Sequence, residues 1–246
     1  MNWYEVTLLG LAAGVIGTGT GGLVAVVIKR PTPRFTGSIL AFAAGIMLAI
    51  IFLELIEEAI DFSGHWVAVA GLALGMAVFY LLDHFLPHQH ALSVEEFHTD
   101  SYLKKGTLLA LGIALHNFPE GLAIGAGFVG STELGISLAI LIGLHNIPEG
   151  MSVAAPLKHG GYSTLKVILI TALAGVPMGL GALIGAAIGS LSELILGLSF
   201  GFAGGAMLYI VCDELIPDAY ESAGAHLSIF GIFTGTAVGI LIIALL

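Results

Sequence analysis

A chain of 246 residues that is 57% hydrophobic, only 10% charged and of mean hydropathy +1.03 is not a water-soluble domain, which carries about 25% charged residues. Seven lysines and arginines against seventeen acids, a net charge of −10, exclude a nucleic-acid binder, whose surface needs clustered basic side chains. The single cysteine, Cys212, excludes an internal disulfide or a thiolate cluster. A polytopic membrane protein remains, and 35 glycines suit membrane helices that approach closely.

Eight apolar segments follow one another, each of roughly 20 residues or more and long enough for a hydrocarbon layer of about 30 Å. They are Val6–Ile28 (helix 1), Ser38–Ile60 (helix 2), Trp66–Leu86 (helix 3), Thr107–Val129 (helix 4), Leu134–Leu157 (helix 5), Leu165–Leu191 (helix 6), Leu194–Ile216 (helix 7) and Leu227–Leu246 (helix 8). Lipid offers the backbone no partners and the runs are continuous rather than alternating, so they are expected to be helices. The expected fold is all-α: residues 1–246 as one transmembrane domain, with helices 1–3 over about 6–86, a polar loop over about 87–105, helices 4–5 over about 107–157 and helices 6–8 over about 165–246. No basic region precedes helix 1, which argues against a cleaved signal peptide. Lys29, Arg30, Arg34, Lys104, Lys105, Lys158 and Lys166 all fall at odd-numbered connections. The positive-inside rule puts those connections in the cytoplasm and both termini outside.

Two internal repeats organise the chain. Residues 41–59 align without gaps with residues 201–219 at an offset of 160, sharing 10 of 19 positions, among them Met47 with Met207 and Glu54 with Glu214. Helices 4 and 5 carry His116-Asn117-Phe118-Pro119-Glu120-Gly121 and, 29 positions later, His145-Asn146-Ile147-Pro148-Glu149-Gly150. In the expected topology the two copies in each repeat run in opposite directions. The chain therefore reads as a 3+2+3 inverted repeat with a pseudo-two-fold axis near the hexapeptides.

Residues i and i+4 share a helix face, so His116 with Glu120 and His145 with Glu149 each point one way, with Asn117 and Asn146 at the edge. Each hexapeptide lies near the middle of its span, so the four strong ligands are expected to meet at the bilayer midplane. Pro119 and Pro148 withhold the amide that would bond the carbonyls of Leu115 and Leu144, and Gly121 and Gly150 permit close backbone approach. Imidazoles, carboxylates and amide oxygens together suit Zn²⁺, Fe²⁺, Mn²⁺ or Co²⁺ better than K⁺ or Cu⁺. A carboxylate pair in lipid is strongly disfavoured unless a cation neutralises it.

Other polar positions are candidates of a second rank. Met47 and Met207 are as well read as gap fillers as metal contacts. Glu54 and Glu214 are gate or vestibule candidates that also suit snorkelling helix ends. Asp61, Asp213 and Asp218 are solvated ends or metal vestibules, and Asp83 and His84 close helix 3 in either role. His88, His90 and His98 lie in the polar third connection, which reads as a weak metal-accepting loop or a polar linker.

With these motifs in place the chain resembles the ZIP (Zrt/Irt-like protein) family of divalent metal transporters, closest to its prokaryotic ZupT-like and GufA-like members, and the resemblance spans the whole chain. It implies a dimeric inverted-repeat bundle in a prokaryotic plasma or inner membrane that brings zinc, and often iron, manganese, cobalt or cadmium, into the cytoplasm by alternating access of a proposed elevator type. It further implies a binuclear site carried by His116, Asn117, Glu120, His145, Asn146 and Glu149, with Met47 nearby and Glu214, preceded by Asp213, on helix 7. One departure stands out. Close relatives carry a helix 6 glutamate in a stretch like Ser-Gly-Leu-Ala-Glu-Pro, whereas residues 174–179 here read Ala-Gly-Val-Pro-Met-Gly, leaving Met178 as the substitute by position. Two other functions compete with transport. An intramembrane metal-dependent hydrolase would need a non-ligand base and has no HExxH pair here, and a cation/proton exchanger would use oxygen ligands only.

Overall fold

The computed structural model describes residues 1–28, 32–85 and 99–245, and its regular structure among these is helical throughout. Among the described residues eight helices are long and apolar enough to cross a membrane: Trp3–Val27, Pro33–Ser63, His65–His84, Tyr102–Gly130, Thr132–His159, Thr164–Gly189, Glu193–Ala223 and Ala225–Leu245. They are helices 1 to 8 in order. His88, His90 and His98 lie outside the described residues. Helix 4 begins at Thr99, well before the apolar run at Thr107, and helices 2 and 7 continue to Ser63 and Ala223. Hydropathy marks what lipid covers, whereas a helix needs only its own backbone hydrogen bonds to continue into water.

Helix starts are set by side chains that accept from first-turn amides. Asn2 Oδ1 accepts from Glu5 N and Glu5 Oε2 accepts from Asn2 N, both at 2.9 Å, a reciprocal capping box. The hydroxyls of Ser131, Ser163 and Ser192 accept from Leu134 N, Lys166 N and Ile195 N at the starts of helices 5, 6 and 7, without the reciprocal bond.

The 160-residue repeat extends through two helices in each half. Helix 2 is built of Pro33–Ile50, a π-helical turn Ile51–Leu55, and Ile56–Ser63. Helix 7 repeats this as Glu193–Ile210, Val211–Leu215 and Ile216–Ala223. Gly64 and Gly224 follow, each at φ +80, a conformation glycine adopts without a Cβ clash. Helices His65–Phe85 and Ala225–Leu245 complete the match. In both π turns the bond closes over five residues, Ile56 N to Ile51 O and Ile216 N to Val211 O. Pro217 follows one turn, but Glu57 stands at the matching place after the other, so proline is not their common cause.

Helix 1 packs on helices 5 and 6, and helix 4 on helices 5 and 6, giving one group of four. Helix 2 packs on helix 8 and helix 3 on helix 7, giving a second group that meets the first where helix 2 touches helix 5 and helix 7 touches helix 4. Small residues make these contacts close. A Cβ on Gly21 of helix 1 would collide with the Ile147 carbonyl, and one on Gly181 of helix 6 with the Phe118 carbonyl, a pair related by the same two offsets. The inverted architecture is therefore visible down to single backbone contacts.

Candidate functional site

Helices 4 and 5 run unbroken through Pro119 and Pro148 and bury both hexapeptides at the junction of the two groups. Asn117, Glu120, His145, Asn146 and Glu149 are completely buried and His116 is 2% exposed. Six polar side chains without solvent, two of them carboxyls, need one another or a cation.

They pair crosswise between the helices. His145 Nε2 lies 2.9 Å from Glu120 Oε1 and 3.9 Å from Glu149 Oε1, while His116 Nε2 lies 3.5 Å from Glu149 Oε1. Among the described residues His145 Nδ1 and Glu149 Oε1 find no hydrogen-bond partner. Ligand atoms of His116, Glu120 and Glu149 all fall within 4.8 Å of one another. A zinc ion bonded at about 2.0–2.2 Å to N and O donors fits among them with small side-chain movements.

The asparagines divide their roles. Asn117 Nδ2 donates to Ile113 O at 2.8 Å and to Ala174 O at 3.1 Å, tying helix 4 to the break in helix 6 at Gly175. Asn146 Nδ2 donates to Asn117 Oδ1 at 3.1 Å, which leaves the Asn146 oxygen facing acceptors only. Turned over, its nitrogen donates to Glu149 Oε2 at 3.1 Å and Glu120 Oε2 at 3.2 Å. In that orientation one amide bridges the two carboxylates, and turned back it would offer its oxygen to a cation held between them.

The remaining candidates separate by distance. Met178 is fully buried with its sulfur 4.0 Å from Asn146 Nδ2, and its carbonyl blocks any Cβ at Gly121, as the Thr18 carbonyl does at Gly150. Glu214 Oε2 lies 3.8 Å from His116 Nδ1, its side chain 25% exposed. Met47 and Met207 are fully buried in the main apolar cluster. Asp213 and Glu54 are half-buried within the π turns, Asp218 is half-buried and Asp61 is exposed.

The two ends of the bundle are unlike. Towards the end where helix 3 finishes and helix 4 starts, a cavity of about 20 Å³ reaches His116 and Glu214 past Asp83, Tyr209, Gly112 and Leu115, with room for a water-sized particle. On the opposite side of the hexapeptides Leu138, Leu141 and Ile142 of helix 5 pack with Met47 and Ile50 of helix 2 and with Phe200 and Met207 of helix 7, all buried in one cluster. Tyr209 and Gly112, which shape the cavity, do not stand out in the sequence as site residues. Their signal is a break in the repeats: Tyr209 answers to Ala49 at the 160-residue offset, and Gly112 to Leu141 at the 29-residue offset.

Comparison with known proteins places these residues in context. The family model described as ZIP Zinc transporter matches residues 88–244. A Corynebacterium glutamicum protein named zinc transporter ZupT is 37% identical over 249 residues, covering 94% of this chain and 94% of its own. Chlorobium luteolum has a protein of the same name that is 36% identical over 264 residues, covering 100% of this chain and 99% of its own. A third of that name, from Corynebacterium aurimucosum, is 33% identical over 239 residues, covering 91% and 90%.

Proposed function

The chain belongs to the ZIP zinc transporter family, and from that premise we propose that it carries zinc, and other divalent transition metals less selectively, across the membrane into the cytoplasm. The observation that carries this reading is the crosswise pairing of His145 with Glu120 and His116 with Glu149 inside a fully buried cluster built from two inverted copies of one hexapeptide. The zinc ion is the cargo. His116, Glu120, His145 and Glu149 hold it, with the Asn146 oxygen as a further donor, and Asn117 fixes the helices. Met178 stands in for a helix 6 carboxylate, so this part of the site offers a neutral sulfur where a carboxylate would add a charge, and it holds a dication less tightly. A weaker position suits an ion that must also leave.

The way out runs along Glu214 and the cavity beside Asp83. This end carries Arg34, Lys104, Lys105, Lys158 and Lys166, exposed at helix termini, and the positive-inside rule makes it cytoplasmic. The apolar cluster of Leu138, Leu141, Ile142 and Met47 then closes the outer approach, and the described conformation faces inward. Glu54, Glu58 and Asp61 of helix 2 answer to Glu214, Asp218 and Glu221 of helix 7 at the 160-residue offset and form the outer acidic approach when the bundle turns over. Alternating access follows if helices 1, 4, 5 and 6 move as one group against helices 2, 3, 7 and 8. Nothing in the cluster supplies a base apart from the ligands, and the relatives named above are transporters, so the hydrolase reading gains no support.

Uptake of radioactive zinc into proteoliposomes, comparing the intact protein with His145→Ala and Glu149→Ala at equal reconstitution, tests the proposal. Saturable uptake that falls by about tenfold or more in both variants, the scale expected when a buried charged partner is lost, supports transport through this site. An intact protein that binds zinc but moves neither zinc, iron nor manganese overturns it.

A further inference from the structure

The two inverted halves place different chemistry on the two approaches to the site, and the difference centres on one hydrogen bond. Tyr209 Oη of helix 7 donates to Asp83 Oδ2 of helix 3 at 3.0 Å. Both residues line the cavity that reaches His116 and Glu214. Tyr209 is held edge-on against Tyr80, ring centroids 6.4 Å apart at 78°, so the hydroxyl is aimed by packing as well as by the bond. At the 160-residue offset the same contact between helices 8 and 2 falls on Ile243 and Ala49, and Ala49 is 2% exposed in an apolar interface. Helix 4 lines the cavity with Gly112, Leu115 and His116, and the counterpart of Gly112, Leu141, is fully buried. One approach thus has room for a water-sized particle beside an oriented carboxylate, while the mirror positions of Tyr209, Asp83 and Gly112 hold Ala49, Ile243 and Leu141.

Resting on the transport reading above, we propose that Tyr209 is a positioning residue for metal passage: its hydroxyl holds the Asp83 carboxylate on the cavity wall across from His116 and Glu214, where it receives the ion leaving the midplane. A carboxylate at the end of helix 3 that swings towards the aqueous end offers the ion nothing at this depth. One restrained by a hydroxyl 3.0 Å away is pre-organised, and the ion does not wait for the side chain to be recruited. The chemistry also suits a staging point rather than a resting place. An oxygen shared with a tyrosine hydroxyl is a poorer donor to the ion than an unshared one, so the ion moves on.

Zinc uptake by proteoliposomes containing the intact protein, Tyr209→Phe, Asp83→Asn and the double variant tests this, together with equilibrium zinc binding to each in detergent. The expected result is a maximal rate lowered about three- to tenfold in each single variant, the scale of one ordinary hydrogen bond, with KM and equilibrium binding within about twofold of the intact protein. The double variant should be no slower than Asp83→Asn, because Tyr209 acts only through Asp83. A packing role alone would move neither the rate-against-KM split nor this non-additivity. An unchanged rate in Tyr209→Phe, multiplied defects in the double variant, or loss of midplane zinc binding overturns the proposal. If Tyr209→Phe does not fold, Tyr209→Leu, which likewise lacks the hydroxyl, replaces it under the same criteria. An intact protein that moves no zinc while binding it refutes the transport reading itself, a result separate from any difference among variants.

Discussion

Replacing Gly121 by alanine probes how the site is held. The added Cβ would run into the Met178 carbonyl and the backbone atoms beside it, and a backbone cannot swing aside as a long side chain does, so helices 4 and 6 must part. Overpacking of this kind costs about 1–3 kcal/mol. At roughly 2–4 °C per kcal/mol for a chain of this size, the apparent Tm should fall by about 2–12 °C. The same substitution at Gly112, also on helix 4, meets nothing within 4 Å and replaces the poorest helix former after proline. It should leave Tm unchanged or raise it by about 1–4 °C. Thermal unfolding of the detergent-solubilised protein, followed by size-exclusion chromatography with tryptophan fluorescence, reads both. Because the Met178 sulfur lies 4.0 Å from Asn146, zinc affinity should weaken in Gly121→Ala and stay level in Gly112→Ala. Equal shifts in the two variants would refute the argument that close backbone approach at Gly121 holds the site.

Three further outcomes are expected. His145 Nε2 and Glu120 Oε1 lie 2.9 Å apart, and an ion bonded to both replaces that hydrogen bond. Zinc should therefore bind about tenfold or more weakly to detergent-solubilised His145→Ala than to the intact protein; equal affinity in an equilibrium titration would remove this pair from the site. Gly64 and Gly224 both sit at φ +80, and a methyl group added at either would meet no atom within 4 Å, so alanine at either should cost about 1–2 kcal/mol through backbone strain alone. The two Tm decrements should match, and a neutral effect at either would remove that explanation. In a Cys212→Ser background, Ser131→Cys should react with a membrane-impermeant maleimide on intact cells while Gly161→Cys should react only after permeabilisation; the reverse pattern would invert the assigned orientation.

Much of the architecture was readable because it is written as pattern. Eight apolar runs, the 160-residue offset and the repeated hexapeptide are one-dimensional facts, and lipid leaves an apolar run no option but helix. The i, i+4 spacing placed His116 with Glu120 and His145 with Glu149 on shared faces before any coordinates. What spacing could not supply was the crosswise partnership, His145 with Glu120 and His116 with Glu149, because periodicity within a helix says nothing about its rotation against a neighbour. Met178 was located by position in helix 6 and lies beside Asn146, whereas Asp61, equally acidic in sequence to the cluster's glutamates, ends exposed on helix 2. The π turns at Ile51–Leu55 and Val211–Leu215 left no compositional trace, since the residues there are ordinary helix residues and the extra residue per turn is settled by packing.

The sequence by itself therefore determined the class of molecule, the eight crossings, the inversion and the residue types that gather at the centre, because hydropathy and helical period are local properties of the chain. Only the tertiary structure decided which imidazole meets which carboxylate, that Asn117 is engaged with backbone while Asn146 faces the carboxylates, and that a small cavity lies beside Tyr209 and Asp83 while Leu141 is buried in the apolar cluster. Those outcomes depend on how closely helices approach and how they are turned. Both are set by glycines meeting carbonyls across interfaces between residues far apart in the chain, such as Gly21 against Ile147, which no local pattern records.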